Sequence, residues 1–158
     1  MEHETLLGGY RKAVAEILAK AAPGVNPKFG PADAKELRIL HSLELPASIA
    51  VFYEEFAPDE KLGVWGIERD CVLLPIGGIE WYSSQRLGKN LKRNRYVVFA
   101  TTLSGDVYCF DLDAPSGNGD VPVFLISHEN DYSQSSRDDI ALLRKSVADS
   151  LLVFLMDF

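Results

Sequence analysis

The segment from Tyr96 to Ile126 constrains the fold of this chain more than any other. It reads YVVFATTLSGDVYCFDLDAPSGNGDVPVFLI, in which three runs of apolar, β-branched and aromatic residues alternate with turn formers. The turns fall at Ser104-Gly105 and at Pro115–Asp120. Runs of this length, separated by turns that contain Gly and Asp, predict a three-stranded antiparallel meander.

The sequence on either side of this meander predicts helices. Apolar residues recur there at intervals of three and four, which is the spacing of an amphipathic helix. The predicted helices cover residues 6–21, 32–42, 45–56 and 136–155, and short strands are predicted at 63–67 and 71–74. Pro75–Gly78 is typical of a turn, and residues 79–91 are polar and mixed, with room for a short helix. This order predicts an α+β fold in which N-terminal and C-terminal helices pack against a single antiparallel or mixed sheet.

Several of these features together resemble the SUKH superfamily, specifically its Smi/Knr-type branch. The strand VYCFDLD, which begins at Val107, follows a small-Gly-acid turn, and VPVF runs into Ser127-His128-Glu129. Upstream, Leu45-Pro46 opens a helix that carries aromatic residues, and Val64-Trp65-Gly66 supplies a Gly-aromatic strand. An amphipathic helix closes the family's domain, and the predicted helix 136–155 matches it.

The resemblance covers residues 33–155 and implies both a domain and a function. The domain is a single SUKH-like unit over residues 1–158, in which residues 1–24 form an N-terminal helical extension. Many bacterial members of the superfamily are immunity proteins, which bind and neutralise a partner toxin. The resemblance therefore implies a non-enzymatic protein-binding domain. A regulatory scaffold of the Smi/Knr type is the first alternative.

The charge of the chain favours a basic partner over nucleic acid or membrane. The net charge is −7, and residues 96–158 contain ten acidic and three basic side chains. An acidic protein repels nucleic acid and attracts basic proteins at long range, so a basic toxin domain such as a nuclease is a fitting partner. Residues 86–95 are the exception, with five basic and no acidic side chains. We interpret them as a solvated loop that pairs with the chain's own acids, although they could also bind a phosphate, a nucleic acid or an acidic patch of a partner.

Enzymatic function is a second alternative, and it rests on one histidine. His128 lies beside Glu129 and Asp131, and a histidine paired with a carboxylate can act as a general acid or base. No nucleophile motif, zinc spacing or phosphate loop accompanies it, so a small hydrolase or nucleotide-binding enzyme is the less favoured interpretation. The oxygen-rich segment Asp111–Asp120 has Pro115 and Ser116 where an EF-hand requires Asp or Asn and then Gly. We therefore predict no catalytic residue, no metal and no cofactor.

Acidic and aromatic residues are the candidates for contact with a protein partner. Acidic clusters attract a basic surface, and Trp and Tyr are frequent anchors of interfaces. The predicted contact residues are Glu54, Glu55, Asp113, Asp120, Glu129, Asp131, Trp81 and Tyr82.

Two cysteines and the N-terminal sequence indicate a cytoplasmic protein. Cys109 shares a strand face with Val107 by alternation, so we predict that Cys71 and Cys109 are free thiols. The N-terminus, MEHETLLGGYRK, carries acids where a secretory signal carries bases, and no apolar run is long enough to span a bilayer.

Overall fold

A meander of antiparallel strands organises the fold, as the segment Tyr96–Ile126 predicts. The computed structural model describes residues 3–59, 61, 63–114 and 120–158. Within these residues the elements follow in the order α1 (His3–Lys20), β1 (Phe29–Gly30), α2 (Ala34–Ser42), α3 (Ala47–Phe56), β2 (Ala57–Pro58), β3 (Val64–Trp65), β4 (Cys71–Leu73), α4 (Ile76–Ser84), α5 (Arg86–Arg93), β5 (Tyr96–Thr102), β6 (Val107–Asp111), β7 (Val123–Ile126), α6 (Arg137–Leu143), β8 (Lys145–Ala148) and α7 (Leu151–Met156).

Six of the strands form one sheet in chain order, from β3 to β8, and every neighbouring pair is antiparallel. The α+β prediction is confirmed, but the described residues form two sheets where one was predicted. In the second sheet β1 pairs with β2, and Phe29 lies opposite Pro58. This small sheet forms because the connector before α2 runs beside the residues that end α3, where each offers the other backbone hydrogen bonds.

The turn between β5 and β6 lies where the sequence predicts it. Gly105 has φ +99°, a conformation that favours glycine, and the Thr102 N–H donates to the Asp106 carbonyl at 2.8 Å. The second predicted turn lies, apart from Asp120, outside the described residues. β6 nevertheless pairs with β7 over four residues, with Val107 opposite Ile126, so the predicted three-stranded meander is confirmed.

Both faces of the central strands are covered, because every residue of β6 is buried. On one face Phe110 stacks on Phe99 of β5, with ring centroids 4.0 Å apart. Phe154 of α7 meets Phe99 edge-on at 5.1 Å, which fixes the last helix against the sheet. Strands buried on both faces read as continuous apolar runs, which is the pattern seen in the sequence.

Helix α1, predicted as an extension, contributes buried side chains to this core. It packs against α3 and α7. Tyr10 is buried, its ring lies 5.1 Å from that of Phe52, and its hydroxyl donates to the Ser48 carbonyl at 2.5 Å. The pKa of Tyr10 is raised, chiefly because burial disfavours the phenolate.

The turn predicted at Pro75–Gly78 is wrong, because a helix begins there. Pro75 occupies the N-cap of α4, and its fixed φ suits a residue just ahead of a helix. Ile76, Ile79 and Ser83 recur at helical spacing and are buried. Burying this stripe outweighs the helix cost of two glycines, about 1 kcal/mol each.

The single C-terminal helix predicted over 136–155 is also wrong, since it is divided into α6, β8 and α7. The predicted capping box at its start is confirmed: the Asp139 N–H donates to the Ser136 hydroxyl at 3.2 Å, and the Ser136 N–H to the Asp139 carboxylate at 2.9 Å. After Leu143 the chain extends and pairs with β7. Ser150 then caps α7 by accepting the Val153 N–H at 3.2 Å. The exposed edge of β7 offers a ladder of hydrogen bonds that a continued helix would leave unmade.

Candidate protein-binding surface

Helix α4 presents Trp81 to the outside of the molecule. Its buried stripe faces β5, which orients Trp81 away from the core. The Trp81 side chain is 59 % exposed, and its ring meets that of Tyr82 edge-on at 5.6 Å. Tyr82 is half-buried, and burial raises the pKa of its phenol. The predicted contact residues Trp81 and Tyr82 thus lie together on one rigid helix.

Two grooves flank Trp81. The first, which we name the acidic groove, has a volume of about 760 Å³ and lies between α2 and α4, with Asp33, Glu36 and Glu80 in its lining. The second, the proline groove, has a volume of about 380 Å³, and Leu74 and Pro75 belong to its lining. Trp81 therefore forms a ridge between an acidic surface and a mostly apolar one, whose lining also includes Lys61.

Part of the acidic groove is fixed by a capping box at the start of α2. The Glu36 N–H donates to Asp33 Oδ1 at 2.8 Å, and the Asp33 N–H donates to Glu36 Oε1 at 3.1 Å. In each carboxylate one oxygen accepts a backbone N–H, which holds the side chain in place. The negative charges of the groove are therefore pre-positioned.

Glu129 and Asp131 come together at a different place, in a polar groove of about 330 Å³ that Arg86 of α5 also lines. Asp131 Oδ1 accepts the Ser133 N–H at 2.9 Å, and this bond lowers the pKa of the exposed carboxyl. The positive charge of Arg86 acts on that pKa in the same direction. The predicted acidic surface thus lies beside the basic segment.

The basic segment itself is helical, so its interpretation as a solvated loop is wrong. Residues Arg86–Arg93 form α5, whose Leu91 is buried under the sheet. Arg93 donates to the carbonyls of Tyr132 and Ser133 at 3.2 and 2.9 Å. Pairing with the chain's own acids, the second part of that interpretation, holds for Arg95, which donates to Asp113 at 3.2 Å.

His128 lies at the rim of the polar groove and pairs with a carboxylate other than the expected ones. Its Nδ1 is 2.7 Å from Asp106 Oδ1, which also accepts the His128 backbone N–H at 3.0 Å. These bonds lower the pKa of Asp106, the side-chain bond most of all. Neighbouring Glu129 is exposed. The pair has the geometry of an oriented imidazole, one component of acid–base chemistry.

The thiols are buried away from this pair. Cys71 and Cys109 are free and fully buried, as predicted. Burial raises the pKa of Cys71 to about 12 and also raises that of Cys109, so both remain neutral thiols at pH 7. Among the described residues no cluster of three His, Cys, Asp or Glu side chains has the arrangement to hold a metal ion.

The acidic residues at the end of β6 differ sharply in environment. Asp111 is fully buried, with Arg137 2.6 Å from its Oδ1 and Arg144 2.6 Å from its Oδ2. Asp113 is exposed and pairs with Arg95. Asp120 is half-buried. Of this cluster, Asp111 is inaccessible to any partner.

Glu54 and Glu55 lie in the last turn of α3. Glu54 is half-buried, and its carbonyl accepts the Ala32 N–H at 2.9 Å, whereas Glu55 is exposed. They lie apart from the lining of the grooves beside Trp81 and of the polar groove. The predicted contact residues are therefore distributed over several surfaces, and only Trp81 with Tyr82, and Glu129 with Asp131, form local groups.

Sequence reasoning missed the association of Trp81 with carboxylates from α2. Glu80 precedes Trp81 in the chain, but Asp33 and Glu36 are more than forty residues away, and only the packing of α2 on α4 brings them close. The available signal was local: glycines stand three and four residues before Trp81, and a serine stands three after it. On a helix these are the neighbours that would otherwise cover the indole.

No model of a known protein family matches the chain, and neither does any curated protein. Among the described helices none combines the length and the apolar character needed to cross a membrane.

Proposed function

We propose that this protein is a non-enzymatic binding protein, an immunity protein of the SUKH kind that neutralises a basic toxin domain such as a nuclease. The observation that supports this most is Trp81, an aromatic side chain exposed at the crest of a rigid helix between two grooves. Trp and Tyr are enriched among the residues that anchor protein interfaces. Holding the anchor on a helix reduces the entropy lost on binding.

Charge supports a basic partner. The net charge of −7 speeds encounter with a positively charged surface, and the acidic groove places carboxylates beside the anchor. The free thiols suit a cytoplasmic site of action, where thiols stay reduced. An acidic protein that covers a nuclease competes directly with nucleic acid for the same basic site.

The experiment is a binding and neutralisation assay with the C-terminal domain of the toxin that this function predicts to be encoded beside this gene. We expect a stable complex by calorimetry and loss of toxin activity in the presence of this protein. Trp81→Ala should weaken binding by at least about tenfold, as anchors do. Trp65→Ala, which removes another half-exposed indole, from β3, is the matched control and should change affinity little. A neighbouring toxin that is neither bound nor inhibited would refute the proposal.

The first alternative is a regulatory scaffold of the Smi/Knr type, which would use the same anchor. It predicts no neighbouring toxin gene and several cellular protein partners. Gene context therefore separates the two without any change to the structural argument.

The second alternative is a small hydrolase or nucleotide-binding enzyme, favoured by the 2.7 Å contact between His128 and Asp106 at the rim of the polar groove. Under the proposed function His128→Ala leaves toxin binding and neutralisation intact. A variant that is folded and still binds, yet no longer neutralises, would favour the enzyme.

A further inference from the structure

Gly77 is a glycine that the fold does not require. It lies in the first turn of α4 with an ordinary negative φ, and a Cβ placed on it would meet nothing within 4 Å. Alanine there would lose less conformational entropy on folding and would favour the helix. The position borders both the acidic groove and the proline groove, on either side of Trp81.

The second small neighbour of Trp81 also leaves the indole uncovered. Ser84 stands three residues after Trp81, and its hydroxyl donates back to the Trp81 carbonyl at 2.6 Å. Its side chain is thereby held against its own helix. Gly77 and Ser84 together keep the two faces of the indole open over about one turn in each direction.

The charges around the exposed Trp81 indole favour a positively charged ligand over a negatively charged one. The lining of the acidic groove includes three carboxylates, those of Asp33, Glu36 and Glu80, and one ammonium group, that of Lys35. A cation above an indole is attracted by the negative face of the ring, and guanidinium groups also stack on it. An anion would meet repulsion from both the ring and the carboxylates.

We propose that the acidic groove receives an arginine or lysine side chain of the protein partner, stacked on Trp81, while an adjacent aliphatic residue enters the proline groove. This rests on the proposed function and names the chemistry that the partner presents. Leu74, Pro75 and Gly78 make the lining of the proline groove mostly apolar, which suits a branched aliphatic side chain, and Lys61 in the same lining favours the cation of the partner on the other side of Trp81. An extended segment places neighbouring side chains on opposite sides, which matches two grooves separated by the Trp81 ridge.

A selection from random heptapeptides displayed on phage tests this without knowledge of the natural partner. Wild-type protein should enrich peptides in which Arg or Lys adjoins Val, Ile or Leu, and Trp81→Ala should not. A synthetic peptide of the selected sequence is then measured by fluorescence anisotropy. Replacing its arginine by citrulline, a neutral group of the same shape, should weaken binding by about tenfold or more. Selection of no peptide, or of peptides without a cation, overturns the inference.

The Gly77→Ala variant distinguishes a role of Gly77 in binding from a role in stability alone. It should raise the melting temperature and yet weaken peptide binding by about fivefold or more, because a methyl group then narrows both grooves. Gly8→Ala is the matched control: Gly8 lies within α1, its Cβ position is equally open, and its substitution should raise stability without affecting binding. Glu80→Gln should weaken binding with the fold intact.

The failures of the two proposals are distinguishable. If the neighbouring toxin is neutralised but Gly77→Ala and Glu80→Gln bind it as tightly as wild type, the cation-receiving groove is refuted and the immunity function stands. If the heptapeptides behave as expected and no toxin is bound, the groove stands and the immunity function is refuted.

Discussion

Asp111 is buried and Trp81 is exposed, which is the reverse of what is usual for aspartate and tryptophan. Aspartate is rarely fully buried and tryptophan is rarely left in water, yet Asp111 is 0 % exposed and Trp81 is 59 % exposed. The difference lies in what surrounds them. Arg137 and Arg144 each approach one carboxylate oxygen of Asp111 to 2.6 Å, whereas Trp81 has Tyr82 as its ring neighbour and grooves on both sides.

The comparison teaches how to separate structure from function when a residue is out of its usual place. Arg144 also donates to the Tyr96 hydroxyl at 2.8 Å and lies 3.8 Å from the centre of the Phe124 ring. A buried charge with such partners has a structural role, because the partners offset the free-energy cost of its desolvation. Trp81 receives no such compensation from the described residues around it, and the residues that would cover it are Gly77 and Ser84. A residue that lies outside its usual environment without such partners is therefore the better indicator of a contact surface.

The largest expected effect is that of removing the buried carboxylate. Asp111→Ala should lower the free energy of unfolding by about 2–4 kcal/mol, because it removes a fully buried carboxylate that two half-buried arginines share. Urea denaturation followed by circular dichroism measures this. Asp113→Ala is the control, since its exposed pairs should contribute less than about 1 kcal/mol. Equal losses of unfolding free energy in the two variants would show that burial does not make Asp111 more important for stability than the exposed Asp113.

The burial of Asp111 follows from an alternation already present in the sequence. Val107 and Cys109 are predicted on a buried strand face, and Asp111 continues that face two residues on. The arginines that neutralise it are not predictable, because Arg137 begins α6 and Arg144 follows its end, whereas helical spacing predicts one helix over 136–155. Helical spacing continues through residues 145–148, and only the free edge of β7, a tertiary feature, turns that segment into a strand.

For the site, the sequence predicts the anchor but not its surroundings. Trp81 and Tyr82 are recognisable as interface residues by type, but Gly77 and Gly78 before them predict a turn. Whether two glycines end a helix or lie within one depends on what the apolar residues at 76 and 79 bury, and a single sequence does not contain that information. The carboxylates supplied by α2 require the same tertiary knowledge.

The second expected effect tests the helix that brings Arg137 to Asp111. Ser136→Ala removes one half of the capping box of α6 and should lower the free energy of unfolding by about 1 kcal/mol. Ser135→Ala is the matched control, because the Ser135 hydroxyl makes no such cap. If Ser136→Ala left the free energy of unfolding unchanged, the contacts of Arg137 and Arg144 with Asp111 would position α6 without help from its cap.

A smaller change is expected in the exposed member of the comparison. Trp81→Ala should alter the free energy of unfolding by less than about 1 kcal/mol, because the remaining buried area of the indole is partly offset by the higher helix propensity of alanine. Phe154→Ala, which removes a fully buried ring, should cost about 3–5 kcal/mol. Denaturation of both variants by urea compares them directly. A loss above 3 kcal/mol for Trp81→Ala would mark the indole as structural and remove the contrast with Asp111.

The smallest expected change in unfolding free energy is that of Asp106. Asp106 pairs with His128 at the surface, whereas Asp111 pairs with two arginines while fully buried. The folded-state pKa of Asp106 is lowered, first by the His128 side-chain bond. A carboxyl whose pKa falls on folding stabilises the protein above its unfolded pKa of about 3.9, and that contribution is lost as pH falls through the folded value. The difference in unfolding free energy between wild type and Asp106→Asn should thus be about 0.5 kcal/mol at pH 6 and vanish near pH 2. Chemical denaturation across this range measures it, and a difference that grew on acidification would reverse the assigned sign. Asp111 should behave otherwise: its variant remains a few kcal/mol less stable than wild type at pH 6, since the Asp111 carboxylate is fully buried between two arginines, whereas that of Asp106 is partly open to water.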